Sequence, residues 1–168
     1  MSLLKRIKNL IAKPQPQKKE RSMLTLAPGD VCEVSMVTYE VTGRTQNRQR
    51  NAVVLTLQDG NAVRYLSIEE RERLVHAMYE RIDGRLDSIT EVPTVLELDD
   101  YIYHLEEQYT GSITAVGRTP YNHSGEQSVW QYQSDNKKLL RIEWQDGRFM
   151  LYEGESVLPA DVRVIRGV

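Results

Sequence analysis

The stretch VVLTLQDGNAVRYLSIE, residues 53–69, decides how the chain is to be read. Val53, Leu55 and Leu57 recur at every second position, the pattern stops at Asp59-Gly60-Asn61, and Leu66 and Ile68 resume it. Alternation places successive side chains on opposite faces of a strand, and Asp-Gly and Gly-Asn tolerate the positive φ of a tight turn. The stretch therefore predicts a β-hairpin.

The same logic extends outward. Gln145-Asp146-Gly147-Arg148 predicts a second turn, between LLRIEW (139–144) and RFMLYEG (148–154). Short β-branched and aromatic runs, punctuated by Gly, Asn and Asp at roughly ten-residue intervals, predict a mainly β fold. One segment is ambiguous: in EERERLVHAMYERI (69–82), Leu74, Val75, Met78 and Ile82 would also suit an amphipathic helix.

A comparison of the chain with itself resolves the ambiguity. At an offset of 74 residues Gly43-Arg44-Thr45 falls on Gly117-Arg118-Thr119, and Leu66, Ile68 and Glu69 fall on Leu140, Ile142 and Glu143. At an offset of 73, Tyr79-Glu80 falls on Tyr152-Glu153, inside the strand-like RFMLYEG. Residues 73–82 are accordingly read as strand. The expected architecture is two tandem antiparallel β-meander repeats, barrel- or sandwich-like halves spanning 23–92 and 93–168.

Ahead of them, MSLLKRIKNLIAK (1–13) spaces Leu3, Leu4, Ile7, Leu10 and Ile11 by threes and fours, the stripe of a short amphipathic helix. Pro14 and Pro16 end it, and residues 14–22 read as a linker. The first 22 residues carry Lys5, Arg6, Lys8, Lys13, Lys18, Lys19 and Arg21 against Glu20, a net +6; with 22 basic and 24 acidic residues in the whole chain, the remainder stands at −8. A basic arm precedes an acidic body.

Composition narrows the class. With 40% apolar and 27% charged residues the chain is globular, and one cysteine among 168 residues forms no internal disulfide, so a reducing, cytoplasmic setting is expected. No apolar run approaches the ~20 residues of a membrane span, and Lys8 and Asn9 interrupt the one stretch that could serve as a signal core. Asn122-His123-Ser124 matches a glycosylation pattern that has no meaning in that compartment.

A resemblance emerges from LAPGD (26–30), the spaced Tyr39, Val41 and Gly43, and the run from Asp59 to Glu69. In the second half it is carried by YTGSITAVG (109–117), WQY (130–132), LLRIEW and FMLYEGESV (149–157). These segments, over residues 24–165, resemble the bacterial domain of unknown function family 4178, with the departure that Ala52, Val53 and Val54 stand where a tryptophan is expected. The resemblance implies a duplicated all-β module with no established activity. It also implies a genomic setting beside phage-shock-protein A relatives, small membrane proteins and polyamine-synthase-like proteins, and hence membrane-stress physiology.

Candidate chemistry is sparse. His76, His104 and His123 lack the close spacing of a zinc site, and no metal or cofactor is expected. Cys32 alternates with Val34 and Met36 on an apolar side, the setting of a buried rather than nucleophilic thiol. Asp99-Asp100 and Glu106-Glu107 flank Tyr101, Tyr103 and Leu105; neighbours in a strand point to opposite faces, so neither dipeptide is expected to form a catalytic pair, and a solvated acidic edge is the simpler reading. Glu69 and Glu143 recur at matched places and are the candidates for a site between the repeats, a structural salt bridge being the simpler role. Nine tyrosines and two tryptophans could stack on bases, but the acidic body lacks the clustered cations phosphate binding needs, so no nucleic acid is expected.

The chain is therefore expected to be a non-enzymatic binding or adaptor module. Leu3, Leu4, Lys5, Arg6, Ile7, Lys8, Leu10 and Ile11 would contact an anionic membrane surface, peripherally at its inner face, or an acidic protein partner. The alternatives are a small-molecule or polyamine-like cation site in a cleft between the halves, and an enzyme of unrecognised type. The sequence leaves the oligomeric state open.

Overall fold

In the computed structural model, which describes residues 22–166, eleven strands form one antiparallel sheet. The N-terminal amphipathic helix predicted over 1–13, and all of the predicted linker except Ser22, lie outside the described residues. Residues 53–69 form the expected hairpin: β3 (Ala52–Asp59) and β4 (Ala62–Glu70) pair from Ala52↔Glu69 to Asp59↔Ala62. The ambiguous segment is strand, as its match to the strand-like RFMLYEG indicated: β5 (Leu74–Ile82) pairs with β4 on one side. The second predicted turn joins β9 (Lys138–Gln145) to β10 (Arg148–Val157), with Asp146 and Gly147 both at positive φ.

The other strands are β1 (Val31–Val34), β2 (Val37–Asn47), β6 (Val95–Leu98), β7 (Tyr101–Gly117), β8 (Gly125–Ser134) and β11 (Val162–Arg166). Their order is β11-β1-β2-β3-β4-β5-β10-β9-β8-β7-β6, and β2 also pairs with β7. That last pairing closes β2, β3, β4, β5, β10, β9, β8 and β7 into a ring, leaving β11-β1 and β6 as flaps. Closure pairs the stretch of β2 that runs past β1, Gly43 to Gln46, with the end of β7, Thr114 to Gly117, while β11 and β6 remain the two edges of the sheet.

The pleat then sorts side chains. Leu55, Leu57, Leu66 and Ile68 face outward from the ring and are fully buried, because β1, β11 and the 3-10 turn Met23–Thr25 fold over them with Cys32, Val34 and Met23. Tyr103, Trp130, Tyr132, Leu140 and Ile142 form a second outer core. Between them, Tyr79, Tyr121, Met150 and Tyr152 pack inside the ring. Losing one fully buried leucine from such a core costs about 2–5 kcal/mol.

Two expectations need correction. Met36 does not join Cys32 and Val34 on the apolar side: Ser35 and Met36 form the β1–β2 turn, both at positive φ, and Met36 is 91% exposed. Asp99 and Asp100 are likewise not strand residues but the positive-φ turn between β6 and β7. Two-residue hairpin turns of this hand match the strand twist and take neighbouring side chains out of alternation.

The seam itself needs glycine. Gly43 pairs with Gly117, where a Cβ on Gly43 would sit 1.8 Å from the Arg118 carbonyl oxygen and one on Gly117 would sit 2.4 Å from that of Thr42. Gly43→Ala is expected to cost about 2–4 kcal/mol in urea unfolding, since only backbone movement relieves the overlap. A loss below ~0.5 kcal/mol would show that the seam does not hold the ring.

Candidate functional site

The ring interior is built by alternation on β4 and β9. Leu66 and Ile68 face outward, so Tyr65, Ser67 and Glu69 face inward; on β9, Arg141 and Glu143 share the inner face between Leu140, Ile142 and Trp144. Arg141 Nε donates to Glu143 Oε2 at 2.8 Å, and both residues are only 5% exposed. Burial works against the Arg141 charge, but the Tyr109 hydroxyl and the Glu143 carboxylate outweigh it and hold the guanidinium well above its ordinary value. The pair is a buried, mutually dependent ion pair.

Tyrosines surround it. Tyr65 meets Tyr152 edge to face at 5.2 Å, and Tyr121 OH donates to the Arg148 carbonyl at 3.3 Å. Burial pushes the Tyr79 phenol up to about 12 and raises Tyr121 and Tyr152 further, so all three stay neutral. The cavity among them is only about 10 Å³, room for a single water. Tyr152 OH and Thr119 Oγ1 line it and have no hydrogen-bond partner among the described residues, which is the setting of one bridging water rather than a substrate.

The larger space lies at one mouth of the ring. A groove of about 500 Å³ runs between Ser67, Glu69, Arg71 and Tyr79 on one side and Glu106, Glu107 and Gln131 on the other. Arg50 Nη2 lies 2.9 Å from Glu69 Oε1 and also engages Glu107; Arg71 Nη2 is 2.9 Å from Glu107 Oε2 and 3.6 Å from Glu69. The Arg50 guanidinium stacks 3.7 Å over the Tyr109 ring. Partial burial would raise the Glu107 carboxyl, but Arg50 and Arg71 outweigh it and hold the group below its ordinary value.

Glu106 and Glu107 correct the sequence reading. They line the same groove because β7 carries a bulge between Leu105 and Glu107, and an inserted residue breaks the alternation that would have separated them. Among the described residues Glu106 has no ionic partner.

Glu69 and Glu143 lie on the faces opposite Leu66/Ile68 and Leu140/Ile142, faces that here line the ring interior, yet each has its own arginine: Arg50 for Glu69, Arg141 for Glu143. Glu69 opens onto the groove, whereas Glu143 sits among the tyrosines. The residues at Leu3, Leu4, Lys5, Arg6, Ile7, Lys8, Leu10 and Ile11 lie outside the described residues. Arg50, Arg141 and the inward tyrosines were not singled out by the sequence; the available signal was that Tyr65 and Arg141 alternate with core residues on strands that also carry Glu69 and Glu143.

The remaining candidates stand apart. Cys32 is buried, and burial with nearby Asp30 pushes its thiol up to about 11. His123 Nε2 bonds Asp146 at the surface, a hydrogen bond that raises its pKa, while burial lowers that of His76. No three His, Cys, Asp or Glu residues are grouped to hold a metal, and no helix is long and apolar enough to cross a membrane, among the described residues.

A closed antiparallel sheet with a charged groove at its mouth defines a mainly β protein, and a fold of this kind does not by itself name a function. The profile of the family described as Domain of unknown function (DUF4178) matches residues 27–159, and the chain belongs to that family. No curated protein and no solved structure shows significant similarity to the chain.

Glu143→Leu strands the Arg141 charge in the interior and is expected to cost about 3–5 kcal/mol in urea unfolding. The double change Arg141→Met with Glu143→Leu is expected to cost less than the single one. A double variant at least as unstable as the single would mean that the two charges do not depend on each other.

Proposed function

We propose that the protein is a non-enzymatic binding module made of two tandem copies of one five-stranded unit, 23–92 and 93–168, with its ligand groove where the copies meet. Register supports the two-copy reading. β1 and β2 pair Val31↔Glu40 to Val34↔Val37, β6 and β7 pair Val95↔His104 to Leu98↔Tyr101, and each second strand then bulges, after Val41 and after Leu105. Tyr79 and Tyr152 both face the interior. The correspondence differs in detail from the 74-residue offset, because Gly43-Arg44-Thr45 lies across the seam from the end of β7, where Gly43 meets Gly117. Likewise Glu143 stands opposite Val129 where Ser67 stands opposite Val54.

The observation carrying the binding reading is the groove, whose volume of about 500 Å³ lies within the ~300–1,000 Å³ of small-ligand sites. Its wall offers Glu106, which the Arg50–Arg71 network leaves over, for an amine group, with Val75, Ala77 and Leu139 for methylenes. A linear aliphatic polyamine fits that chemistry. In isothermal titration calorimetry spermidine is expected to bind saturably, with affinity falling about tenfold in Glu106→Gln, the loss expected for one hydrogen bond to a charged group. No heat at millimolar ligand, or heat indifferent to Glu106→Gln, would retire the reading.

The arm gives the module an address. Its +6 opposes the −8 of the rest of the chain, so an anionic lipid surface would attract the arm and repel the body. In this reading Leu3, Leu4, Ile7, Leu10 and Ile11 enter the lipid interface while Lys5, Arg6 and Lys8 meet headgroups, at the cytoplasmic face and in the membrane-stress setting that the family resemblance implied. Each cation contributes about 1 kcal/mol. Lys5→Glu, Arg6→Glu and Lys8→Glu together are expected to abolish co-sedimentation with phosphatidylglycerol vesicles. Undiminished co-sedimentation would remove the arm from the account.

A further inference from the structure

The two flaps of the sheet are unequal. β11 covers the outer edge of β1, pairing Cys32↔Val164, Glu33↔Arg163 and Val34↔Val162. Val162 and Val164 pack onto the outer core, where Cys32 is 0% and Val34 2% exposed. On the other face Arg163 grips Glu33 with two hydrogen bonds, of 3.1 and 3.0 Å.

β6 is the counterpart of β1 in the two-copy reading, on which this inference rests. Val95-Leu96-Glu97-Leu98 repeats the pattern of Val31-Cys32-Glu33-Val34 and pairs with its hairpin partner in the same register. Among the described residues no strand lies on its outer edge and no cation meets Glu97. Leu96 and Leu98 are only partly buried where Cys32 and Val34 are fully buried, and Val95, on the face of Glu97, is 52% exposed. Row by row, β6 displays what β1 would display without β11: a backbone edge with no strand on it among the described residues, a carboxylate on one face and partly buried leucines on the other.

We propose that β6 accepts an added antiparallel strand from a partner protein, with the alternation aliphatic-basic-aliphatic that β11 presents to β1. Its backbone completes the ladder, its basic residue meets Glu97, and its two aliphatic residues cover Leu96 and Leu98.

The test uses the full chain and, as probe, a synthetic peptide with the sequence of residues 159–166. Saturable binding is expected, with hydrogen-exchange protection gained at 95–98 and none lost at 31–34. Glu97→Lys, at an exposed site that folding does not need, is expected to weaken binding at least tenfold. A peptide carrying Arg163→Glu is expected to restore it on the Glu97→Lys chain. Absence of protection at 95–98 overturns the proposal and leaves the two-copy correspondence standing. Protection that ignores both charge changes means another register and overturns both. Protection that arises in the chain alone as its concentration rises makes a second copy the occupant and overturns the separate partner.

Discussion

Closure of the sheet at the β2–β7 seam is the constraint on which everything else depends. An open antiparallel sheet of this length would leave its inner face wet, and Arg141, Glu143 and the tyrosines would then be ordinary surface residues. Pairing Gly43 with Gly117 removes that face from water. The ion pair becomes buried, burial pushes the Tyr79, Tyr121 and Tyr152 phenols up, and both outer sides of the ring are freed to carry the apolar cores. The tightness of the approach, where added Cβ atoms would lie only 1.8 and 2.4 Å from backbone carbonyl oxygens, explains why two glycines meet there.

Inside the ring, the division of labour follows from volume. A cavity of about 10 Å³ cannot admit a ligand, so the Arg141–Glu143 pair and its tyrosines serve specificity of packing; buried ion pairs are weak sources of net stability but punish any arrangement that separates them. Chemistry directed outward is left to the mouth, where Arg50 and Arg71 bridge Glu69 on β4 and Glu107 on β7. That network ties the two sides of the groove together, and the neighbouring Glu106 is the carboxylate it leaves over.

Asymmetry between the flaps is as informative as the likeness of the hairpins. Each outer core is buried and rimmed by partly buried residues, but on one side that rim includes Val162 and Val164 of β11, whereas on the other Leu96 and Leu98 of β6 form it with no further strand beyond them among the described residues. A β protein normally blunts such an edge with short strands and charge, and β6 has both, four residues with Glu97 among them and two aspartates in the turn that follows. The same features that discourage random pairing select for a strand bringing a cation to one place.

Sequence alone determined the central strands, because their signals are local: alternation in residues 53–69, Asp-Gly at 59–60 and 146–147, and the placing of Glu69 and Glu143 opposite their neighbouring Leu/Ile pairs all follow from the two-residue pleat. It went astray at Met36, at Asp99-Asp100 and at Glu106-Glu107, where a turn or a bulge interrupts that period with no change in composition to announce it. Only the tertiary structure decided that Gly43 faces Gly117 instead of merely resembling it, that Arg50 from one turn reaches Glu69 and Glu107 from two strands, and that β6 is the last strand of the sheet among the described residues. Pairing between distant strands depends on where the chain returns in space, and no periodicity within a single segment encodes that return.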